Sequence, residues 1–204
     1  MMAEIGSRIK AVIFDLDGTL VTSSLDFPRM RKDIGCPEGQ DVLQFIESLD
    51  ESAKLRAQAI IHRHEMDDAQ SVLLIPGALS LLGQLQDLGI YTAIVTRNSM
   101  APTQLKITRS GLQVGQVLTR ECAPAKPHPG ALLQLCEGWQ IKPSESLYVG
   151  DYLYDLQAAA NANMHSCLFV SGDAPPYAAE AGFVCRQYAV FLGQLSAYLD
   201  AATH

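Results

Sequence analysis

Basic side chains are the minority charge in this 204-residue chain: Lys and Arg number 15 against 22 Asp and Glu, a net charge of −7. Such a balance gives no global attraction to phosphate polymers or anionic lipid, which argues against nucleic acid and membranes as partners. It does not prevent a small anion from being held at a local site. Long apolar runs are also missing. No stretch approaches the roughly 18 residues of a membrane span, and Met1–Lys10 holds no apolar segment of the length a secretion signal needs. The five cysteines (Cys36, Cys122, Cys136, Cys167, Cys185) are odd in number and form no CxxC pair. Neither a disulfide framework nor a zinc site is indicated, and reduced thiols in a cytoplasmic protein are expected. Repeats are absent, and the lone tryptophan, Trp139, reads as packing. What is abundant is apolar residue, at 48%. That is ample for a core, excludes general disorder, and suits one domain with a small insertion at this length.

Strand and helix signals alternate along the chain. Ile9–Phe14 is a β-branched run ending in an acidic, glycine-containing turn, the mark of a buried strand. Strands are further expected at Ile90–Val95, Val114–Leu118, Leu147–Val149 and Ser166–Val170, with Phe183–Cys185 as a last edge strand. Helices are expected over Leu79–Leu85 (opened by Pro76-Gly77), Pro102–Arg109, Pro129–Glu137, Leu153–Asn163 and Ala189–Leu199. Five strands separated by helices predict an α/β fold with a mainly parallel sheet. From about Thr22 to Leu74 only helical signals occur, including a helix over Ser52–Asp67 capped by Asp50. This stretch is too long for a crossover, so it reads as an inserted helical lid over residues 22–74, with residues 1–21 and 75–204 forming the core.

In an open α/β sheet, ligands bind beyond the carboxyl ends of the strands, so the residues just past each strand end are the test for a site. Asp15-Leu16-Asp17-Gly18-Thr19-Leu20 comes after the first strand, and Thr96-Arg97-Asn98 after the second. Lys126-Pro127 precedes the helix after the third, and Gly150-Asp151, then Asp155, come after the fourth. Carboxylates converging on one crevice repel unless a cation or proton joins them, and hard oxygen ligands of this kind suit Mg²⁺ shared with phosphate. Lysine, a hydroxyl and turn N–H groups suit phosphate oxygens. An Asp beside a metal can act as nucleophile, and a second Asp two residues on can protonate the leaving oxygen and then activate water. The chemistry that fits is metal-assisted phosphoryl transfer.

Phe14-Asp15-Leu16-Asp17-Gly18-Thr19-Leu20 resembles the first motif of the haloacid dehalogenase superfamily, and Thr96, Lys126 and Gly150–Asp155 resemble its second to fourth motifs in order. The closest general resemblance is to its phosphoglycolate-phosphatase-like branch. The resemblance implies a Rossmann-like core with a helical cap inserted after the first motif. It also implies Asp15 as nucleophile and Mg²⁺ ligand, and Asp17 as general acid/base with its backbone carbonyl on the metal. Thr96 and Lys126 would hold the phosphoryl group, helped by Asn98, Arg97 and the Gly18 turn; Asp151 would ligate Mg²⁺ and Asp155 support it. The expected substrate is a small phosphorylated metabolite. Dehalogenases of the superfamily lack the second Asp, so Asp17 disfavours carbon–halogen cleavage. Phosphonate hydrolysis would want a cap lysine, for which Lys32 and Lys54 are the choices, neither in a motif. Phosphotransferase or phosphosugar mutase chemistry stays open, as does a non-catalytic phospholigand- or partner-binding module, although a pure binder has no need of both Asp15 and Asp17.

Each of these residues also has a plainer use. Asp15 and Asp17 are common turn residues, Asp155 suits a first helical turn, and Arg97 reads as a steering or salt-bridging group. In the insertion, Arg29, Arg31 and Lys32 are candidate contacts for an acidic substrate group. His62-Arg63-His64-Glu65 lacks the spacing that puts two imidazoles on one helix face and reads as a solvated polar face. Oligomeric state is not legible.

Overall fold

A computed structural model describes residues 2–201. In chain order its elements are α1 (Met2–Arg8), β1 (Ala11–Phe14), α2 (Phe27–Ile34), α3 (Val42–Glu47), α4 (Glu51–Gln70), α5 (Ala78–Asp87), β2 (Tyr91–Val95), α6 (Met100–Ser110), β3 (Gln116–Leu118), α7 (Gly130–Trp139), β4 (Ser146–Gly150), α8 (Leu153–Asn161), β5 (His165–Phe169), β6 (Phe183–Cys185) and α9 (Phe191–Ala201). The six strands form one sheet in the order β3-β2-β1-β4-β5-β6. Every pairing in it is parallel. This is the Rossmann-like α/β fold expected from the sequence, with the edge strand included.

All four residues of β1 are fully buried because both faces of the sheet are covered. Alternation along the strands divides them between two cores. Val12, Phe14, Ile94, Leu147 and Val149 face Leu81, Leu82 and Leu85 of α5 and Phe191, Leu195 and Leu199 of α9. Ile13, Ala93, Val95 and Tyr148 face Leu132 and Leu135 of α7 and Ala158 and Ala159 of α8. Helix α1 was not legible in the sequence; its Ile5 joins the first core and its Arg8 pairs with Asp200 of α9. Trp139 stacks on Tyr91 with ring centroids 5.2 Å apart, so it does pack. The five cysteines are free thiols, four buried and Cys122 exposed. Among the described residues, no helix is long and apolar enough to cross a membrane.

Between β1 and α5 the chain leaves the sheet and returns beside itself. Val21 and Leu74 form an antiparallel bridge, with Thr22 N–H donating to Leu73 O (2.8 Å) and Ile75 N–H to Leu20 O (2.9 Å). The intervening α2, α3 and α4 surround an apolar cluster of their own: Met30, Cys36, Val42, Ile46, Ala57 and Ile61. Each helix starts on an aspartate. Asp26, Asp41 and Asp50 accept first-turn N–H groups, an arrangement worth about 1 kcal/mol each. Helix α4 then packs against α6 of the core.

The expected solvated face at His62–Glu65 needs correction. His62 and Arg63 are exposed, but Glu65 is buried, because this part of α4 turns toward the core rather than to water. Glu65 Oε2 accepts from Arg120 Nη2 (3.1 Å), Ser99 Oγ (2.9 Å) and Ser99 N–H (3.3 Å), and Arg120 Nη1 reaches Oε1. His64 Nε2 meets Asp33 at 2.9 Å.

Candidate active site

Strand β1 has β2 on one side and β4 on the other, so the order of connection reverses at β1 and a crevice opens at its carboxyl end. The loops after β1, β2 and β4 empty into it, and α2–α4 lie opposite. The resulting cavity measures ≈ 540 Å³. Asp15, Asp17, Gly18, Thr96, Arg97, Asn98, Lys126, Asp151 and Asp155 all line it.

Asp15 is held where β1 ends by its N–H, which continues the sheet ladder to Val149 O (2.8 Å). Further along the same turn, Gly18 adopts φ +71°, and a Cβ there would lie 2.2 Å from Asp151 Oδ2. Only glycine lets the β1 and β4 loops close on each other. Gly150 repeats the device on the other side, since a Cβ would come within 2.2 Å of Asp155 Cγ.

Lys126 is buried at the centre, behind a cis Lys126–Pro127 bond. Its Nζ lies 2.8 Å from Asp15 Oδ1 and 2.6 Å from Asp155 Oδ1, and donates to Tyr148 Oη at 2.8 Å. Tyr148 Oη in turn donates to Val95 O (2.9 Å), which fixes the ammonium against the sheet. Asp155 also accepts the Tyr152 N–H (3.0 Å) at the start of α8. Asp17 turns its carboxylate elsewhere: Oδ2 accepts from Asn98 Nδ2 (2.6 Å) and Oδ1 from Lys106 Nζ (2.5 Å). Thr96 is buried, its hydroxyl accepting the Asn98 N–H at 3.2 Å.

The charges are far from neutralised by one lysine. Burial, reinforced by Asp155 and Asp17, pushes Asp15 up to about 7 against the pull of Lys126. Burial, with Asp15 and Asp155, pushes Asp151 up to about 8. Burial also raises Asp17, in spite of Lys106 and Asn98. For Lys126, burial works against the charged form, but Asp15 and Asp155 outweigh it and the ammonium is held above its ordinary value.

Carboxylate oxygens of Asp15, Asp151 and Asp155 all lie within 4.8 Å of one another. This all-oxygen donor set, short of positive charge, fits a hard divalent cation such as Mg²⁺. Asp17 has no side-chain oxygen in that group, so any part it takes in holding a cation falls to its backbone carbonyl.

Arg97 bridges to the insertion rather than pointing a free guanidinium at the crevice. It donates to Asp41 Oδ2 (2.6 Å) and to Lys126 O, and lies 4.7 Å over the Tyr154 ring. Of the three cations proposed as substrate contacts, Arg31 lines the cavity. Arg29 and Lys32 do not; the helix carries them outward, Arg29 to an exposed pair with Asp33 at 3.3 Å. Lys54 pairs with Glu47, also outside the cavity. Sequence reasoning missed Lys106, Tyr148, Asp41 and Asp68. Tyr148 and Lys106 stand inside apolar or helical runs, where nothing in the spacing marks them as site residues.

The haloacid dehalogenase-like hydrolase family model matches residues 12–169. A haloacid dehalogenase-like hydrolase domain-containing protein of Arabidopsis thaliana is 31% identical over 174 residues, covering 79% of this chain and 71% of its own. A plasmid-borne phosphoglycolate phosphatase of Cupriavidus necator is 30% identical over 200 residues, covering 86% and 87%. Among solved structures, a hydrolase from Pseudomonas syringae superposes with a TM-score of 0.77 at 20% identity, covering 92% of this chain and 98% of that one. The chain belongs to the haloacid dehalogenase-like hydrolases, and within them it is phosphoglycolate-phosphatase-like. It is therefore an enzyme.

Proposed function

We propose that this enzyme is a Mg²⁺-dependent phosphatase that hydrolyses a small phosphorylated metabolite through an aspartyl-phosphate on Asp15. The observation carrying this reading is the gathering of Asp15, Asp151, Asp155, Lys126 and Thr96 on one cavity at the sheet's switch point. Hydrolases named for phosphoglycolate and hexitol phosphates among its relatives support the substrate class. Asp15, Asp151 and Asp155, with the Asp17 carbonyl, would hold the cation. When bound, it offsets the carboxylate charge and draws density from the phosphoryl oxygens.

The chain's own residues supply the rest. Lys126 and the Thr96 hydroxyl hold the phosphoryl oxygens and keep phosphorus in line with Asp15. An Asp15 oxygen bonds to phosphorus as the ester P–O bond breaks, and Asp17 gives its proton to the departing oxygen, which leaves as an alcohol. Asp17, now a carboxylate, takes a proton from water as that water attacks the aspartyl-phosphate. Inorganic phosphate leaves and Asp15 is restored. Residues 22–74 act as a cap over the crevice, and Arg31 is their candidate contact to the substrate's far end.

Purified protein with Mg²⁺ is expected to hydrolyse 4-nitrophenyl phosphate and members of a panel of metabolite phosphates. Asp15→Asn is expected to lose that activity, by a factor of at least ~10³, with an unchanged circular-dichroism spectrum. Release of one inorganic phosphate per ester consumed separates water from a sugar hydroxyl as acceptor. A folded wild-type enzyme that turns over nothing in the panel would refute the phosphatase reading.

A further inference from the structure

Lys106 takes no part in that chemistry, yet it is the most completely enclosed charge near the site, with no exposed surface at all. It lies on α6, and its Nζ bridges two carboxylates: Asp17 Oδ1 at 2.5 Å and Asp68 Oδ2 at 2.6 Å. Asp68 belongs to the last turn of α4, and its carboxylate is shared with the chain leaving the core. Oδ1 accepts Ser24 N–H (2.6 Å) and Ser24 Oγ (2.9 Å), and Oδ2 accepts Ser23 Oγ (3.2 Å). The outgoing linker at Ser23–Ser24 and the helix that leads into the returning linker are thus joined to Asp17 through a single ammonium.

A buried ion pair is seldom more stabilising than apolar side chains of the same volume, so stability alone gives no account of a lysine here. Its geometric effect is specific. Asp17 is gripped at one oxygen by Asn98 of the core and at the other by Lys106, whose own position is set by Asp68. We infer that Lys106 is a positioning residue for Asp17, anchoring on Asp68 and the cap linkers the carboxyl that protonates the leaving oxygen. The inference rests on the phosphatase reading. Lys106 exchanges no proton: Asp17 passes its own to the ester oxygen as the P–O bond breaks, and the resulting carboxylate stays paired with the ammonium.

Leaving-group chemistry tests this. The value of kcat/KM covers the steps up to transfer of the phosphoryl group to Asp15. An alkyl phosphate needs a proton on its departing oxygen, whereas 4-nitrophenolate leaves without one. In Lys106→Met, kcat/KM for an alkyl phosphate is expected to fall ~30-fold or more, while that for 4-nitrophenyl phosphate falls less than ~3-fold. Asp68→Asn, which keeps the lysine and loosens its anchor, should shift the ratio the same way by a smaller factor; it carries the test if Lys106→Met does not fold. Equal losses on both esters, or no loss on either, would mean a structural filler and overturn the inference. A wild-type enzyme inactive on both esters would instead overturn the phosphatase reading beneath it.

Discussion

At the scale of single residues, the site depends on two places where a side chain is missing. Gly18 and Gly150 admit Asp151 and Asp155 into space that any Cβ would fill. For Gly18→Ala the clash is with the Asp151 carboxylate and the backbone is at positive φ, so relaxation must move the β1 loop or Asp151 itself. The expected result is a loss of about 1–3 kcal/mol in urea unfolding, together with a larger Mg²⁺ requirement for activity. Much of this candidate site was legible in the sequence, since Asp15, Thr96 and Asp151 directly follow strands and Lys126 lies in the loop between β3 and α7, and topology sends these loops to one crevice. Lys106 was not. A lysine in the middle of a helix reads as a solvated charge unless the partner helix is known, and here its partner Asp68 stands 38 residues earlier in the chain.

At the scale of elements, α4 explains both a success and a failure of sequence reading. Its buried positions, Ala57, Ile61, Glu65, Asp68 and Ala69, form one face at helical spacing. The face begins apolar, against the insertion's own cluster, and ends acidic, against Ser99, Lys106 and Arg120 of the core. The sequence reading found the helix and the Asp50 cap but took His62–Glu65 for a solvated face, although Glu65 is buried. Strands were easier, because burial on both faces leaves near-continuous apolar runs. Helices α2 and α3, at eight and six residues, are too short for a pattern to show. The acidic end of α4 gives a prediction at its own scale: Glu65→Ala strips Arg120 and Ser99 of their buried acceptor. It is expected to cost about 3 kcal/mol in chemical denaturation, and to expose α4 to amide hydrogen exchange ahead of the sheet.

For the whole molecule, the excess of acid has a measurable consequence. Asp15 and Asp151 hold their protons to about 7 and about 8 in the folded protein, while in an unfolded chain they would release them near ~4. Between about pH 4 and pH 8 these two groups bind more protons in the native state than in the unfolded state, so their contribution to stability falls as pH rises through that window. Asp68 acts in the opposite sense: Lys106 and Ser24 overcome its burial and hold it below its ordinary value, so its stabilisation is lost only in acid. Without divalent cation, Tm is expected to decline from about pH 5 to about pH 8.5. Added Mg²⁺ should raise Tm more at the higher of these values than at the lower, where it must displace protons. A Tm indifferent to Mg²⁺ at both would count against a cation among these carboxylates.

The stacking of Trp139 on Tyr91 ties the only indole in the chain to the core sheet and α7. Neither ring lines the crevice or belongs to the insertion. Intrinsic fluorescence excited near ~295 nm is therefore a native reporter of the sheet, blind to α2–α4. An emission change in denaturant that trails the loss of helical ellipticity would mark the insertion melting first, with no label needed to see it.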